Sequence, residues 1–307
     1  MDKFEAQSTL NTVAKQVVLC ADDYALNAPV SQGIVALAQM GRLSATSVMS
    51  LSPRWAEDAR ALREARASLG MSLDVGLHLD WTSSFAIQAG HGSSLGVVMS
   101  RALLGLYKVQ SLQDEMHRQL DAFEQHWQAP PDHIDGHQHI QQFNGFRDAL
   151  AEVLLRRYGA NKTSQIKRPW LRISQVAQAG LKAKIISTMG AANLHAWAAQ
   201  NNWPVVSPLS GAYGFDGNAQ DYAQRMRGWL SALPAKSVTR EKNETTEIAG
   251  LIMCHPAASA QADDAIGPAR ASEFAYLASD DFVKHLHDAN VQLVRGSLNA
   301  QALNTEH

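Results

Sequence analysis

Two adjacent carboxylates, Asp22 and Asp23, follow directly after a short apolar run over 17–21. An apolar run that stops at acids is typical of a buried parallel strand that delivers both side chains to its carboxyl end, where α/β folds usually place their chemistry. One acid could hold a cation while the other removes a proton from water. The alternative is that either acid caps the following helix, because aspartate is a favoured N-cap residue.

Imidazole side chains end two further strand-like segments. His78 lies between two leucines of an apolar segment, and His137 and His139 lie with Asp135 in the segment 132–139. The i, i+2 spacing predicts that these last three share one strand face, where Asp135 could orient a ligating imidazole. A carboxylate and imidazoles from separate strand ends predict a catalytic metal site with open positions. The alternatives are a hydrogen-bonded core histidine at 78 and an exposed polar strand end.

A fourth histidine, His255, precedes Pro256 at the end of the apolar run 248–254. Proline holds the preceding residue in an extended conformation, which would fix the direction of this imidazole at the strand edge. Because the predicted metal site already has its ligands, His255 would be free to donate a proton to a leaving group.

The segments between these residues alternate between strand-like and helix-like patterns. About seven strands interleaved with helices, without a glycine-rich dinucleotide-binding sequence, favour a single-domain α/β fold, an irregular (β/α) barrel. The patterns predict helices over 29–40, 55–67, 112–127, 146–158 and within 181–200, strands over 44–51, 170–173, 248–254 and 291–294, and an exposed loop or hairpin over 236–247.

One domain is expected over 1–307, with an N-terminal tail over 1–15. The segment 83–110, which is rich in glycine and serine in its first part, follows the strand of His78. Two alternatives stay open for this segment: a flexible lid over the site, or a solvated connection.

The composition limits the classes of partner that this protein is expected to bind. The chain has 307 residues, 46% hydrophobic and 18% charged, as is usual for globular enzymes. A net charge of −2 gives no basic field, so nucleic acid is not an expected partner. No apolar run has the length of a signal peptide core or the roughly 20 residues of a membrane span, so a cytoplasmic location is expected, and a peripheral membrane contact stays open as an alternative. Cys20 and Cys254 are expected to be buried thiols rather than a disulfide.

Taken together, these residues resemble the YdjC/ChbG family of carbohydrate deacetylases. Five segments carry the resemblance in order: ADDY at 21–24, GRLSATS at 41–47, GLHL at 76–79, HIDGHQH at 133–139 and MCHP at 253–256. Smaller similarities lie at 171–172, 211–215 and 264–270. One departure is Gln141, where the family often has another histidine; we expect this position in the sugar subsite, where it would affect substrate specificity and not hydrolysis.

The resemblance implies a deformed (β/α) barrel, a divalent metal that is usually magnesium, and hydrolysis of the N-acetyl group, a linear amide, from an N-acetylhexosamine. Its site residues would be the metal ligands Asp23, His78 and His137, the general base Asp22, the general acid or polariser His255, and Arg172 as a substrate or supporting contact. Two imidazoles suit zinc or a similar transition ion better than magnesium, so the metal stays open.

Aromatic residues near these motifs, namely Tyr24, Trp81, Tyr213 and Phe215, could stack on a pyranose ring or belong to the core. His139 and Asp135 are expected to support the site or contact substrate. The expected partners are a saccharide or glycolipid substrate and, because relatives are often dimeric, a second copy of the chain. Two other functions stay open: metal-dependent hydrolysis of another bond, such as a phosphoester or other amide, and non-catalytic binding of a sugar or glycolipid.

Overall fold

The computed structural model describes residues 13–70, 72–159, 167–175, 189–234 and 248–298. Strands and helices alternate through these ranges. The strands are β1 Lys15–Tyr24, β2 Ala45–Val48, β3 Asp74–Leu79, β4 His133–Gly136, β5 Trp170–Arg172, β6 Val205–Val206, β7 Leu209–Ser210, β8 Ile248–Cys254 and β9 Val291–Leu293. The helices are α1 Ala28–Gln39, α2 Trp55–Leu69, α3 Ser84–Gln88, α4 Leu95–Leu103, α5 Val109–Trp127, α6 Phe146–Tyr158, α7 Ala191–Gln200, α8 Ala219–Ala232, α9 Gly267–Leu277 and α10 Asp280–Asp288, with a 3-10 helix at His137–Gln142.

The strands form one parallel sheet that curls into a nearly closed eight-stranded barrel. Their order is β6-β5-β4-β3-β2-β1-β8-β7, and β9 pairs with the start of β1. This architecture confirms the predicted α/β fold and irregular barrel. No helix in the described ranges is long and apolar enough to cross a membrane.

Strand β1 is central because it pairs with β2, β8 and β9. Its residues from Val17 to Tyr24 are buried, as expected for a parallel strand covered on both faces. The register places Ala21 opposite Cys254, so the acids near the end of β1 and the histidine after β8 come to the same edge of the sheet. Both cysteines are buried free thiols, as predicted.

Most predicted elements are observed, with their ends shifted by a few residues. The strand predicted over 44–51 is shorter, and the helix predicted from 112 begins at Val109. The loop predicted over 236–247 and the first part of the helical stretch over 181–200 lie outside the described residues.

The segment 83–110 is not a flexible loop, because α3 and α4 occupy much of it. The side chain of Ser83 caps α3 by accepting from the N–H groups of Phe85 and Ala86. In α4, Val98 and Ala102 are four residues apart and both buried, which gives this helix an inward face that the glycine content concealed. A lid role for the segment stays a prediction.

The segment 132–139 is also not a single strand. Strand β4 ends at Gly136, and the chain then turns into the 3-10 helix, in which His139 has φ of 63°. The turn is so tight that a Cβ on Gly136 would lie 3.0 Å from the backbone nitrogen of Gln141. The prediction that Asp135, His137 and His139 share one strand face is therefore wrong.

Candidate active site

Asp22 is held by the guanidinium of Arg172. Nη1 of Arg172 donates to Oδ2 of Asp22 and Nη2 to Oδ1, each at 2.7 Å, and both side chains are buried. Burial alone would raise the pKa of Asp22, but the guanidinium outweighs it and holds the pKa below its ordinary value. Asp22 is therefore an ionised carboxylate with both oxygens already engaged.

Asp135 accepts from three partners on the other side of the same guanidinium. Nη2 of Arg172 lies 2.7 Å from its Oδ2, Ser47 Oγ donates to Oδ2 at 2.6 Å, and His78 Nδ1 lies 2.6 Å from Oδ1. Ser47 is in turn 3.0 Å from Nε2 of His133, which stacks on Trp170. We call Asp22, Ser47, His133, Asp135 and Arg172 the buried cluster.

Asp23 has a different environment although it is the next residue. The pairing of β1 with β2 shifts register between Ala21 and Tyr24, and Asp23 has φ of 70°. Such a bulge re-aims a side chain, which lets both acids reach the same edge. Oδ2 of Asp23 accepts from Nη2 of Arg270 at 2.7 Å, whereas its Oδ1 is buried with no hydrogen-bond partner among the described residues.

Three imidazoles surround the carboxylate of Asp23. Nε2 of His78 lies 3.5 Å from its free Oδ1. Burial would raise the pKa of Asp23, but Arg270 and then His137, His255 and His78 outweigh it and hold the pKa well below its ordinary value. The fields of these groups thus converge on one carboxylate. We call Asp23, His137 and His255 the rim cluster.

His78 connects the two clusters. Its Nδ1 is held by Asp135 and its Nε2 faces Asp23, an arrangement typical of a histidine that is oriented to bind a metal through Nε2. Burial opposes protonation, yet Asp135 raises the pKa of His78 to about 9. The negative field that raises this pKa also favours a cation near Nε2.

His137 follows β4 at the start of the 3-10 helix and is half-buried. Its Nδ1 lies 2.7 Å from Oγ1 of Thr82 and 3.7 Å from Oδ1 of Asp80. Nε2 is therefore the ring nitrogen that is left to bind a cation. The ring centroids of His78 and His137 are 5.7 Å apart. The contact with Thr82 was not predicted from the sequence. Thr82 follows Trp81 and precedes α3.

His255 also lies beside the pair of acids. Its Nε2 is 3.8 Å from Oδ2 of Asp22, its Nδ1 has no hydrogen-bond partner in the described ranges, and its backbone N–H donates to Glu273. Burial lowers the pKa of His255 to about 4, so the imidazole is neutral near pH 7. Glu273 also accepts from the hydroxyl of Tyr213 at 2.6 Å, and burial raises the pKa of Glu273 to about 7.

Tyr24 lies apart from this group, whereas His139 lies close to it, where burial and then the guanidinium of Arg172 lower the pKa of His139 to about 3. Tyr24 is buried, donates to the carbonyl of Asp58 and packs on Trp55. His139 binds Ser174 through Nδ1 at 3.0 Å. Gln141 is not exposed to a sugar subsite as expected: it is fully buried.

Gln141 instead joins two strand ends. Its side chain donates to the carbonyl of Arg172 and to Oγ of Ser174, both at 3.2 Å, and this links the 3-10 helix to the residues around β5. The capping alternative for the two acids is also wrong, because Asn27 caps α1 by accepting from the N–H of Val30.

The donor atoms of two sets of side chains are close enough to hold a cation. Asp22, His78 and Asp135 form one set, and Cys20, His133 and Asp135 form the other, each with donor atoms within 4.8 Å of one another. Arg172 already pairs with both Asp22 and Asp135, so its positive charge opposes a cation there. The free Oδ1 of Asp23, facing Nε2 of His78, is the better match for a cation.

The fold and the site together define a nearly closed parallel α/β barrel with carboxylates and imidazoles at its strand ends. A family model described as YdjC-like protein matches residues 16–288, so the chain belongs to the YdjC-like family. The resemblance drawn from the sequence motifs is confirmed.

The chain is also similar to a solved structure from Enterococcus faecalis V583, provisionally described as a cellobiose-phosphate cleavage protein. The two are 18% identical with a TM-score of 0.64, over 92% of this chain and 98% of that chain. At this identity the similarity bears on the fold alone. A comparison with curated proteins finds no match.

Proposed function

We propose that this protein is a metal-dependent hydrolase that removes the N-acetyl group from an N-acetylhexosamine-containing saccharide or glycoconjugate. The observation that carries the proposal is the unlike pair of adjacent acids. Asp22 is fully paired and ionised, whereas Asp23 presents a free buried oxygen to an oriented imidazole. A base beside a cation site is the arrangement that metal-assisted amide hydrolysis requires.

Asp23, His78 and His137 would hold the ion. Oδ1 of Asp23, which has no hydrogen-bond partner among the described residues, Nε2 of His78 and the remaining ring nitrogen of His137 would be its donor atoms. When bound, the divalent ion supplies Lewis-acid chemistry, lowering the pKa of water and polarising an acyl oxygen. The family resemblance favours magnesium, and the two imidazoles favour zinc or a similar transition ion.

Asp22 and His255 would carry the proton. The pairing with Arg172 keeps Asp22 ionised, so it can take a proton from the attacking water. Nε2 of His255 lies 3.8 Å from Oδ2 of Asp22, and the imidazole is neutral. His255 can therefore receive that proton and pass it to the departing amine. The bond between Glu273 and the backbone of His255 keeps the imidazole at this edge.

Two observations support a sugar over a phosphoester as the substrate. Phe215 is half-buried with its ring centroid 5.1 Å from that of His255, a position from which it could stack on a pyranose ring. Arg172 and Arg270, which a phosphate would need, are each already paired with aspartates. A non-catalytic binding protein would have no use for the ionised base.

The test is acetate release from di-N-acetylchitobiose by metal-stripped protein that is reconstituted separately with magnesium, zinc, manganese and cobalt. Acetate should appear only with a metal and should disappear in His137→Ala. The matched control is His287→Ala, which removes a 90% exposed side chain on α10 and should keep full activity. Tight metal binding without acetate release from any N-acetylated saccharide would overturn the proposal.

A further inference from the structure

Exposed apolar side chains are concentrated in one segment of the molecule. Eleven large hydrophobic residues are exposed in the described ranges, and six of them lie between residues 87 and 109. Leu103 and Leu104 are the most exposed of all, at 71% and 72%. We call the six the apolar patch: Ile87, Val97, Leu103, Leu104, Leu106 and Val109. Scattered exposed leucines are ordinary, but such a concentration marks an interaction surface.

The patch is presented by an anchored scaffold. The inward face of α4 is buried, while Val97 is exposed on the helix and Leu103 and Leu104 are exposed at its C-terminal end. Gly105 then turns the chain with φ of 63°, and Tyr107 packs on Phe146 with ring centroids 4.9 Å apart. The leucines around this turn therefore project from a fixed base.

The charges of the segment favour one kind of partner. Residues 81–113 contain no aspartate or glutamate and carry the exposed cations Arg101 and Lys108, and the exposed acid that follows them is Asp114, which accepts from Gln110. In a symmetric dimer, the same surface would meet itself, and the two cations of each copy would outnumber this one exposed acid. An anionic lipid surface matches both the apolar side chains and the cations.

We propose that the apolar patch is a membrane-docking surface that lies on bilayers containing anionic phospholipid. The segment begins beside the candidate active site, where Thr82 contacts His137. Docking would thus bring the site close to lipid headgroups. The docking proposal does not depend on the proposed function; if both hold, the substrate class is a glycolipid headgroup.

The test is flotation of the full chain with vesicles of phosphatidylcholine, with and without phosphatidylglycerol. The wild type should float with the anionic vesicles, and less so at high salt. The double variant Leu103→Gln/Leu104→Gln should partition at least about tenfold more weakly, because two leucines no longer enter the interface. Leu155→Gln is the matched control: it changes a leucine of α6 that is 43% exposed, and it should float like the wild type.

A charge variant and a sedimentation measurement complete the test. Lys108→Gln should weaken flotation with anionic vesicles about fivefold, since one cation near such a surface contributes about 1 kcal/mol. The proposal is overturned if the wild type does not float with anionic vesicles, or if the double variant floats equally well. It is also overturned if sedimentation velocity gives a dimer that the double variant dissociates while neither protein binds vesicles.

Discussion

The buried cluster and the rim cluster meet at two consecutive residues, and they treat their carboxylates differently. In the buried cluster, both oxygens of Asp22 are paired with Arg172, and the same guanidinium also holds Asp135. In the rim cluster, Oδ2 of Asp23 accepts from Arg270, and its Oδ1 has no hydrogen-bond partner among the described residues. Neighbouring acids of one motif can thus be given different environments by their cations: both oxygens of the first are paired, and the second keeps one oxygen unpaired in the part of the chain that the structure describes.

The largest expected effect is on the buried cluster. Arg172→Met would leave Asp22 and Asp135 buried without their cation, so we expect the free energy of unfolding to fall by about 3–5 kcal/mol, measured by urea denaturation at pH 7. The control is Arg60→Met, which breaks the exposed pair with Glu64 on α2 and should cost at most about 1 kcal/mol. Equal losses of unfolding free energy in the two variants would contradict the view that the buried cluster stabilises the fold more than an exposed ion pair does.

The second prediction separates the two acids by function. Asp22→Asn should keep metal affinity within a few-fold but lower the rate of acetate release about a thousandfold, because the base is lost. Asp23→Asn should weaken metal binding itself. Removing a residue that only supports a metal ligand typically lowers metal affinity by about 10–100-fold, and we expect a larger loss here because Asp23 would be a ligand. Isothermal titration with metal and a turnover assay on each variant measure both quantities. If Asp22→Asn turns over at the wild-type rate, the base is not Asp22.

The third prediction uses pH to probe the buried cluster. Burial lowers the pKa of His133 to about 4, below the ordinary value of 6.5. Between these two values the unfolded chain binds a proton that folded His133 does not, so the free energy of unfolding falls as the pH falls through this window. The full effect is about 3 kcal/mol. The loss between pH 6.5 and pH 4 should be smaller in His133→Gln, and parallel curves for the two proteins would exclude this role.

The smallest expected effect is at the support of the rim cluster. Tyr213→Phe removes the hydroxyl that donates to Glu273, which in turn holds the backbone of His255. One such hydrogen bond contributes about 1 kcal/mol, so we expect a roughly fivefold fall in turnover with unchanged metal affinity. Tyr276→Phe, which removes a hydrogen bond to His285, is the control and should keep the wild-type rate.

The strand ends that carry the chemistry could be predicted from the sequence because parallel strands are apolar and stop abruptly. The run before Asp22 and the run before His255 are both buried strands with aligned ends. Tyr24 shows the limit of such a pattern. The left-handed conformation of Asp23 breaks strand alternation, and the tyrosine next to the acids packs into the core.

The cations could not be assigned from the sequence. Arg172 lies 150 residues from Asp22, and Arg270 lies 247 residues from Asp23. Only the closure of the barrel brings these partners together, and a three-residue strand such as β5 gives a weak local signal. Motif similarity at 171–172 and 264–270 marked both arginines, but the pattern did not indicate which acid each one pairs with.

The guanidinium of Arg172 has a consequence for the way the barrel assembles. It comes from β5 and pairs with one acid near the end of β1 and one acid on β4, so three separate strands must dock in register before these ion pairs form. A chain with β5 out of place would bury two uncompensated anions and would also lack an ionised, correctly held Asp22. The ion pairs of the candidate site therefore form only in the correctly assembled barrel, and a misassembled molecule loses their stabilisation together with the arrangement of the site.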